Sequence, residues 1–254
     1  MFWRGFVVEE IFRYNRLMRE NDAQKPKIAE AVSIVAHQLK NPISVLKGYL
    51  EILISEDFGK VNQKQKEYLD DALENVQRMA KVVSDLLDIS RIEEGRYELK
   101  LEKFSLEKVT SAVIKDFSDW AKASNCQIFL KSEKDLLEVL ADPFKIRQVI
   151  ENLISNALRY RGPGQGKIEI SLKNLGKEVL FSCQDNGIGI PPEDFPKVFS
   201  KFYRSEAALE ADPSGTGLGL YINKAIIGLS GGKIRFEKNK DFGMTFYFTL
   251  PIAK

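Results

Sequence analysis

Three things are scarce in this sequence: histidine, cysteine and uninterrupted apolar stretches. His37 is the only histidine, and the two cysteines, Cys126 and Cys183, have no His or Cys neighbour at metal-ligand spacing, so no zinc site is legible. Both cysteines lie in apolar segments, which reads as two buried thiols in a reducing compartment rather than a disulfide. A membrane-spanning helix needs ~20 predominantly apolar residues. Every long apolar stretch here is cut by charge or glycine well before that. An excess of one charge is also missing: 38 Lys and Arg against 36 Asp and Glu leave a net charge of +2, which argues against bulk nucleic-acid binding. No internal repeat or low-complexity tract occurs.

What is present suits a globular chain of one large or two ordinary domains, with 254 residues and a hydrophobic fraction of 44%. Residues 1–27 open with Val7, Ile11, Tyr14 and Met18 at helical spacing beside arginines. They read as an amphipathic helix without the apolar core of a signal peptide. It is either a signalling helix that follows a sensor or membrane segment, or a helix packed on its own domain. From Ile28 to Leu53, the positions Val32, Val35, Leu39, Pro42, Leu46, Tyr49 and Leu53 alternate three-four spacings and predict the seam of a helical bundle. After the turn EDFGKV, Asn62 and Gln65 form a capping-box pattern. Leu69, Ala72, Val76, Met79, Val83 and Leu86 then restart the spacing. Two such helices bury too little surface alone, so a homodimer pairing two hairpins into a four-helix bundle is expected. The periodicity stops near Glu94 and Gly95, dividing residues 28–95 from a second domain, 96–254. There YELKLEKF, CQIFLK, LEVLAD, KIEISLKN, KEVLFSCQD, GKIRFEK and MTFYFTL read as strands, with helices over 105–123, 143–160 and 217–230. The class is α+β, helices on a mixed sheet. The proline-rich stretch Pro191–Gly217 reads as a long mobile loop, at most one short helix, able to act as a lid.

Four constellations carry chemistry. His37 falls two positions beyond Val35, off the seam and toward solvent. Pro42, five residues on, lacks an amide donor and should loosen the helix beside it. On the helix opened by Asp142 and Pro143, Gln148, Asn152 and Asn156 recur every four residues, and Arg159 and Tyr160 continue that face. Amide oxygens suit Mg²⁺ shared with phosphates, and an arginine offsets phosphate charge. Asp185, Asn186, Gly187 and Gly189 follow a strand, where a carboxylate can accept from an adenine amino group. Gly215, Thr216, Gly217, Leu218 and Gly219 precede a helical run whose free amides suit phosphates. No strand leads directly into that run, which disfavours a dinucleotide site.

Taken in order, AHQLKNPI, RQVIENLISNALRY, DNGIGI, FPKVFSKFYR and SGTGLGL resemble the phosphoacceptor, asparagine, first glycine, phenylalanine and second glycine boxes of sensor histidine kinases. The resemblance covers residues 28 to 254. It implies a dimerisation and phosphotransfer hairpin followed by an α+β sandwich ATP-binding domain of the Bergerat type, shared with gyrase and heat-shock chaperone ATPases. It implies His37 as phosphoacceptor, Asn156 as Mg²⁺ ligand supported by Asn152, Asp185 as adenine reader and Tyr160 beside the base. Arg159, where the family often has lysine, and Arg204 would meet phosphate. Phe199 and Phe202 would anchor the lid, and Gly215, Gly217 and Gly219 would let it fold over the triphosphate. The cofactors implied are ATP and Mg²⁺, the partner is a response regulator receiver domain, and the location is cytoplasmic, free or tethered to the membrane in a longer form.

Two departures bear on mechanism. Gln38 stands where many relatives place an acid. It can orient the imidazole but cannot take its proton, so slower autophosphorylation is expected. Asn41 matches a position where relatives carry threonine or asparagine to orient water for dephosphorylating the regulator. Two rival readings stand beside the kinase: a gyrase- or chaperone-like ATPase, which carries a carboxylate where this chain has Asn152, and a pseudokinase scaffold, for which Gln38 is the best support.

Overall fold

The computed structural model describes residues 34–213 and 215–253. The helix expected over residues 1–27 and the beginning of the first bundle helix lie outside the described residues. The chain divides into two compact units at Tyr97 and Glu98.

The first unit is a helical hairpin. Helix α1 spans 34–54 and continues through Pro42; α2 spans Gln63–Glu93. The capping box forms as expected: the Asn62 side chain accepts from Gln65 N at 2.9 Å and Gln65 Oε1 accepts from Asn62 N at 2.9 Å. At the other end Gly95, at φ +65°, closes a Schellman turn, with Arg96 N donating to Arg91 O and Gly95 N to Ile92 O.

The hairpin packs on a different stripe from the one the spacing picked out. Ala36 and Ile43, with Leu50 one heptad further on, meet Val76, Ala80, Val83, Leu86 and Leu87. Val35, Leu39, Leu46, Tyr49 and Leu53 are all exposed instead. Helix α1 carries two adjacent apolar stripes, and only one of them is consumed inside the hairpin.

The second unit contains all seven expected strands: β1 (Glu102–Phe104), β2 (Cys126–Ser132), β3 (Val139–Ala141), β4 (Gly166–Asn174), β5 (Glu178–Asp185), β6 (Ile234–Lys238) and β7 (Met244–Pro251). β1 and β3 form a small antiparallel pair, and the main sheet runs β2-β4-β5-β7-β6. Only the β2–β4 pair is parallel. Period-two alternation puts Ile168, Ile170, Leu172, Val179, Phe181, Phe246, Phe248 and Leu250 in the core, where the Phe181 and Phe248 rings stack at 4.5 Å. Cys126 and Cys183 are free, buried thiols, and burial pushes both pKa values up.

The helices that cover the sheet are α3 (Leu106–Asp116), α4 (Ser118–Ala123), α5 (Pro143–Arg159) and α7 (Gly219–Leu229). The single helix expected over 105–123 is broken at Phe117, whose φ of −87° and ψ of 0° end α3 while its ring stacks on Trp120. Asp142 caps α5 by accepting from Phe144 N and Lys145 N, and its second oxygen accepts from Lys100 N at 3.0 Å. Ile146, Val149, Ile150, Leu153, Ile154, Ala157 and Leu158 bury one face of α5. Each large side chain there contributes about 1.5–3 kcal/mol of burial. That commitment fixes the rotation of α5 and turns Gln148, Asn152 and Asn156 to its opposite flank.

The stretch expected as a loop with at most one short helix holds two: a 3₁₀ helix at Pro192–Lys197 and α6 at Glu206–Ala211. Pro191 and Pro192 preset the first turn, and the Ser205 hydroxyl caps α6 by accepting from Ala208 N at 3.2 Å.

Candidate functional site

The asparagine face of α5, the end of β5, the lid and the start of α7 converge in the second unit. Gly219 opens α7 against Asn152 so closely that a Cβ would overlap the carboxamide. No side chain caps the first turn of α7, which leaves its leading amides to an anion. Asn223, buried at the contact between α7 and α5, ties the two helices through Nδ2 to Val149 O at 3.4 Å. Gly187 lies under the Tyr160 carbonyl, where any Cβ would collide, and Ile188 N donates to that same carbonyl at 2.9 Å. The loop after β5 is thereby bound to the end of α5.

Asp185 is the most constrained acid in the site. Its Oδ1 accepts from Gly187 N at 2.9 Å and from Met244 N at 3.2 Å. Its Oδ2 accepts nothing from the described residues. Burial pushes the carboxyl above the usual carboxylate range, and the Gly187 and Met244 amides partly oppose the shift. One fixed oxygen and one free oxygen suit an exocyclic amine. Asn186 pins the same loop, accepting from Lys167 N at 2.7 Å and donating to Gln165 O at 3.0 Å. Gly189 holds φ +75° in the next turn.

The carboxamides of Asn152 and Asn156 differ in state. Asn156 is half-buried, and its side chain bonds to none of the described residues. Asn152 Nδ2 is buried without a partner, an arrangement that costs about 1–3 kcal/mol unless a ligand satisfies it. Glu151, beside Asn152 in sequence, is bound to Arg147 Nε at 2.7 Å, and Arg147 also pairs with Asp116. Among the described residues no cluster of three or more His, Cys, Asp or Glu side chains forms a metal cage. An uncommitted amide oxygen on Asn156 fits Mg²⁺ of the kind that takes one or two protein ligands and shares phosphates.

The two arginines are engaged within the protein. Arg159 pairs with Asp212 at 3.2 Å and lies 5.9 Å from the Trp120 ring centroid. Arg204 donates to the carbonyls of Ala208 at 2.6 Å, Gly215 at 2.9 Å, Pro213 at 3.3 Å and Asp212, with Nε buried and unpaired. In this state Arg204 organises the lid around itself instead of facing a phosphate cleft. Gly217, at φ +70°, presses on the backbone of Phe202 and Tyr203 too closely for any side chain. Thr216 Oγ1 accepts from Leu218 N at 3.3 Å. Phe199 packs on Phe236 at 5.7 Å, joined there by Phe195 at 5.2 Å, and Val198 is buried. Phe202 departs from expectation: it is 63% exposed with φ +59° and anchors nothing. Phe195 and Val198 take that part.

In the first unit His37, Gln38 and Asn41 are all exposed on α1, and their side chains bond to none of the described residues. His37 and Asn41, one turn apart, are neighbours on that surface.

Sequence reading named both β6 and β7 but missed that the turn between them belongs to the site. Asn239, Gly243 and Met244 all touch Asp185. An Asn followed four residues later by Gly between two strands signals a turn, but not the distant residue that the turn meets.

Two family models cover most of the chain. Residues 27–95 match the His Kinase A (phospho-acceptor) domain, and residues 141–254 match the histidine kinase-, DNA gyrase B- and HSP90-like ATPase. The circadian input-output histidine kinase CikA of Synechococcus elongatus is 30% identical over 87% of this chain, and 30% of its own length is covered. Sensor histidine kinase WalK of Bacillus subtilis is 33% identical over 91% of this chain and 38% of its own. The chain thus spans about a third of the length of these relatives. Among solved structures, the catalytic domain of histidine kinase ThkA is 32% identical, with a TM-score of 0.54, over 61% of this chain and 99% of that domain. ThkA in complex with its response regulator TrrA matches over 88% of this chain and 61% of that one at 27% identity and a TM-score of 0.57. A helical phospho-acceptor hairpin, followed by an ATPase sheet with a free carboxylate oxygen and an asparagine face, belongs to the sensor histidine kinases, and this chain is a member of that family.

Proposed function

We propose that this chain transfers the γ-phosphoryl of ATP to His37 and passes it to an aspartate of a response regulator receiver domain. Residues 28–95 serve as the dimerisation and phosphotransfer domain and 96–254 as the catalytic domain. The single observation that carries the reading is the asparagine face of α5: Asn152 and Asn156 present amides where a water-activating base would need a carboxylate, and neighbouring Glu151 is bound to Arg147. Such a site holds ATP without activating water, which favours a histidine acceptor over the gyrase-type reaction. His37, exposed and unbonded, is that acceptor.

In the proposed reaction Asp185 Oδ2 accepts from the adenine 6-amino group and Tyr160 lies beside the base. The amides opening α7 and the turn Gly215–Gly219 hold the phosphates. The Asn156 amide oxygen would hold Mg²⁺, which when bound would neutralise charge at the phosphate oxygens. A neutral ring nitrogen of His37 attacks the γ-phosphorus; the N–P bond forms as the bond to the leaving ADP oxygen breaks, and the other ring nitrogen keeps its proton. Gln38 orients the ring but cannot accept that proton. Arg159 and Arg204 meet phosphate only after leaving Asp212 and the lid carbonyls. The exposed stripe Val35, Leu39, Leu46 and Leu53 is the surface on which a second copy completes a four-helix bundle. Asn41, beside His37, orients water when the phosphorylated regulator is hydrolysed.

The test is a chase. The chain is incubated with γ-labelled ATP and Mg²⁺, freed of nucleotide and mixed with a panel of purified receiver domains. Label retained on the chain and then moved to an aspartate of one receiver is expected. Free phosphate release without labelled protein would indicate the ATPase reading, and bound ATP without turnover the pseudokinase.

A further inference from the structure

The β6–β7 hairpin builds an unusually tight mount for one residue. Asn239 Nδ2 donates to Asp185 O at 2.7 Å and to Phe242 O at 3.1 Å. Its Oδ1 accepts from the Thr245 hydroxyl at 2.6 Å, and its backbone N donates to Gly243 O at 3.1 Å. Both carbonyls can only accept, so the atom between them must be the amide nitrogen, and the carboxamide has one allowed orientation. A single side chain thus ties the end of β5, the hairpin turn and the start of β7. Gly243, at φ +81°, lies so close to the Asp185 carbonyl that no Cβ fits between them. The next residue, Met244, puts its N–H on Asp185 Oδ1. β5 and β7 stop pairing at Gln184 and Thr245, so this contact lies just past the end of their ladder.

We infer that Asn239 is a positioning residue that sets the base selectivity of the nucleotide site, by locking the hairpin that holds Asp185 Oδ1 and so aiming Oδ2 at the 6-amino group of adenine. The inference rests on the proposal that Asp185 reads adenine. With Asn239 in place the carboxylate has one rotamer and offers one acceptor. Without its amide donors the hairpin loosens, Met244 no longer fixes Oδ1, and the carboxylate turns away from a single ligand geometry.

The experiment compares ADP with the diphosphate of purine riboside, which lacks the 6-amino group, by calorimetric titration of the whole chain. Wild type should prefer ADP. Asn239→Asp keeps the shape and the acceptor for Thr245 but removes both donors. It should lower the ADP preference about three- to tenfold, the effect of one hydrogen bond, while affinity for the purine analogue stays within about twofold. An unchanged ratio in a folded Asn239→Asp protein overturns the inference, and so does an equal loss for both ligands, which marks general damage to the site. If Asn239→Asp does not fold, Thr245→Val removes only the hydroxyl that donates to Asn239 Oδ1. It should lower the ratio in the same direction, and an unchanged ratio there is equally fatal. Should wild type show no preference for ADP, the adenine reading of Asp185 fails first and the role of Asn239 falls with it.

Discussion

Asp185→Asn should weaken adenine nucleotide binding and at the same time stabilise the empty protein at neutral pH. Asparagine keeps an oxygen where Gly187 N and Met244 N donate at 2.9 Å and 3.2 Å, so the local backbone has no reason to move. It replaces Oδ2 with an amino group, however, and an adenine 6-amino group then meets a donor. The loss is one hydrogen bond to a charged acceptor, about 1.5–3 kcal/mol, which corresponds to roughly 10- to 150-fold in Kd. The stability effect has the opposite sign. Burial raises the folded-state pKa of Asp185 above its ordinary value. The protonated form therefore adds stability that is complete below the unfolded pKa, near 3.9 for a free aspartate, and lost as pH rises through the folded value. At neutral pH the ionised carboxylate is a net cost, offset by its two amide donors, and the neutral amide removes that cost. Calorimetric titration with ADP and melting curves from about pH 3.5, just below the unfolded carboxyl value, to pH 8 read both effects. The variant should melt above wild type at the alkaline end, with the gap narrowing on acidification, and wild-type ADP affinity should fall as Asp185 protonates. A variant that binds ADP within twofold of wild type, or melts lower at pH 8, would refute the reasoning.

Gly219→Ala drives a methyl into the Asn152 carboxamide and should cut ATP affinity at least tenfold by displacing the start of α7, while circular dichroism stays native; unchanged affinity would mean the α7 amides do not bind phosphate. Gln38→Glu should autophosphorylate faster than wild type, because a carboxylate can share the imidazole proton, and equal rates at every pH would contradict that role. Asn41→Ala should slow dephosphorylation of the cognate regulator about tenfold or more without changing His37 phosphorylation, since Asn41 is exposed and bonded to nothing described; a full-speed phosphatase would remove Asn41 from the reaction.

The legible parts of the fold are those with local causes. KIEISLKN alternates buried and open positions and became β4, and the Asn62–Gln65 and Asp142–Pro143 signals sit at the N-termini of α2 and α5. The intra-hairpin contact was not legible because α1 carries two apolar stripes that both repeat every seven residues, and spacing cannot tell that Ala36 and Ile43, not Val35 and Leu39, pack inside the hairpin. The stretch Pro191–Gly217, expected to hold at most one short helix, holds two, because part of the support of α6 comes from outside it: the Arg204 guanidinium binds the carbonyls of Ala208 within it and Asp212 just past its end. Phe202 resembled a lid anchor by its place in a motif, but its left-handed backbone turns it to solvent and leaves the packing to Phe195 and Val198. At the site, Asn152 and Asn156 stood out as amides that apolar periodicity does not ask for, and Asp185 as a carboxylate at a strand end beside glycines. Asn239 did not, because its meaning depends on a contact with a residue 54 positions earlier, which no local pattern encodes.

In the proposed reaction the acceptor of the γ-phosphoryl is the exposed imidazole of His37. The most direct measurement is peptide mapping by mass spectrometry under alkaline conditions after incubation with ATP and Mg²⁺, with His37→Gln alongside. One acid-labile, alkali-stable phosphoryl group is expected on the peptide that contains His37, and none on the folded, ATP-binding variant. Phosphate on a serine, threonine or aspartate peptide, or equal labelling of the two proteins, would contradict it.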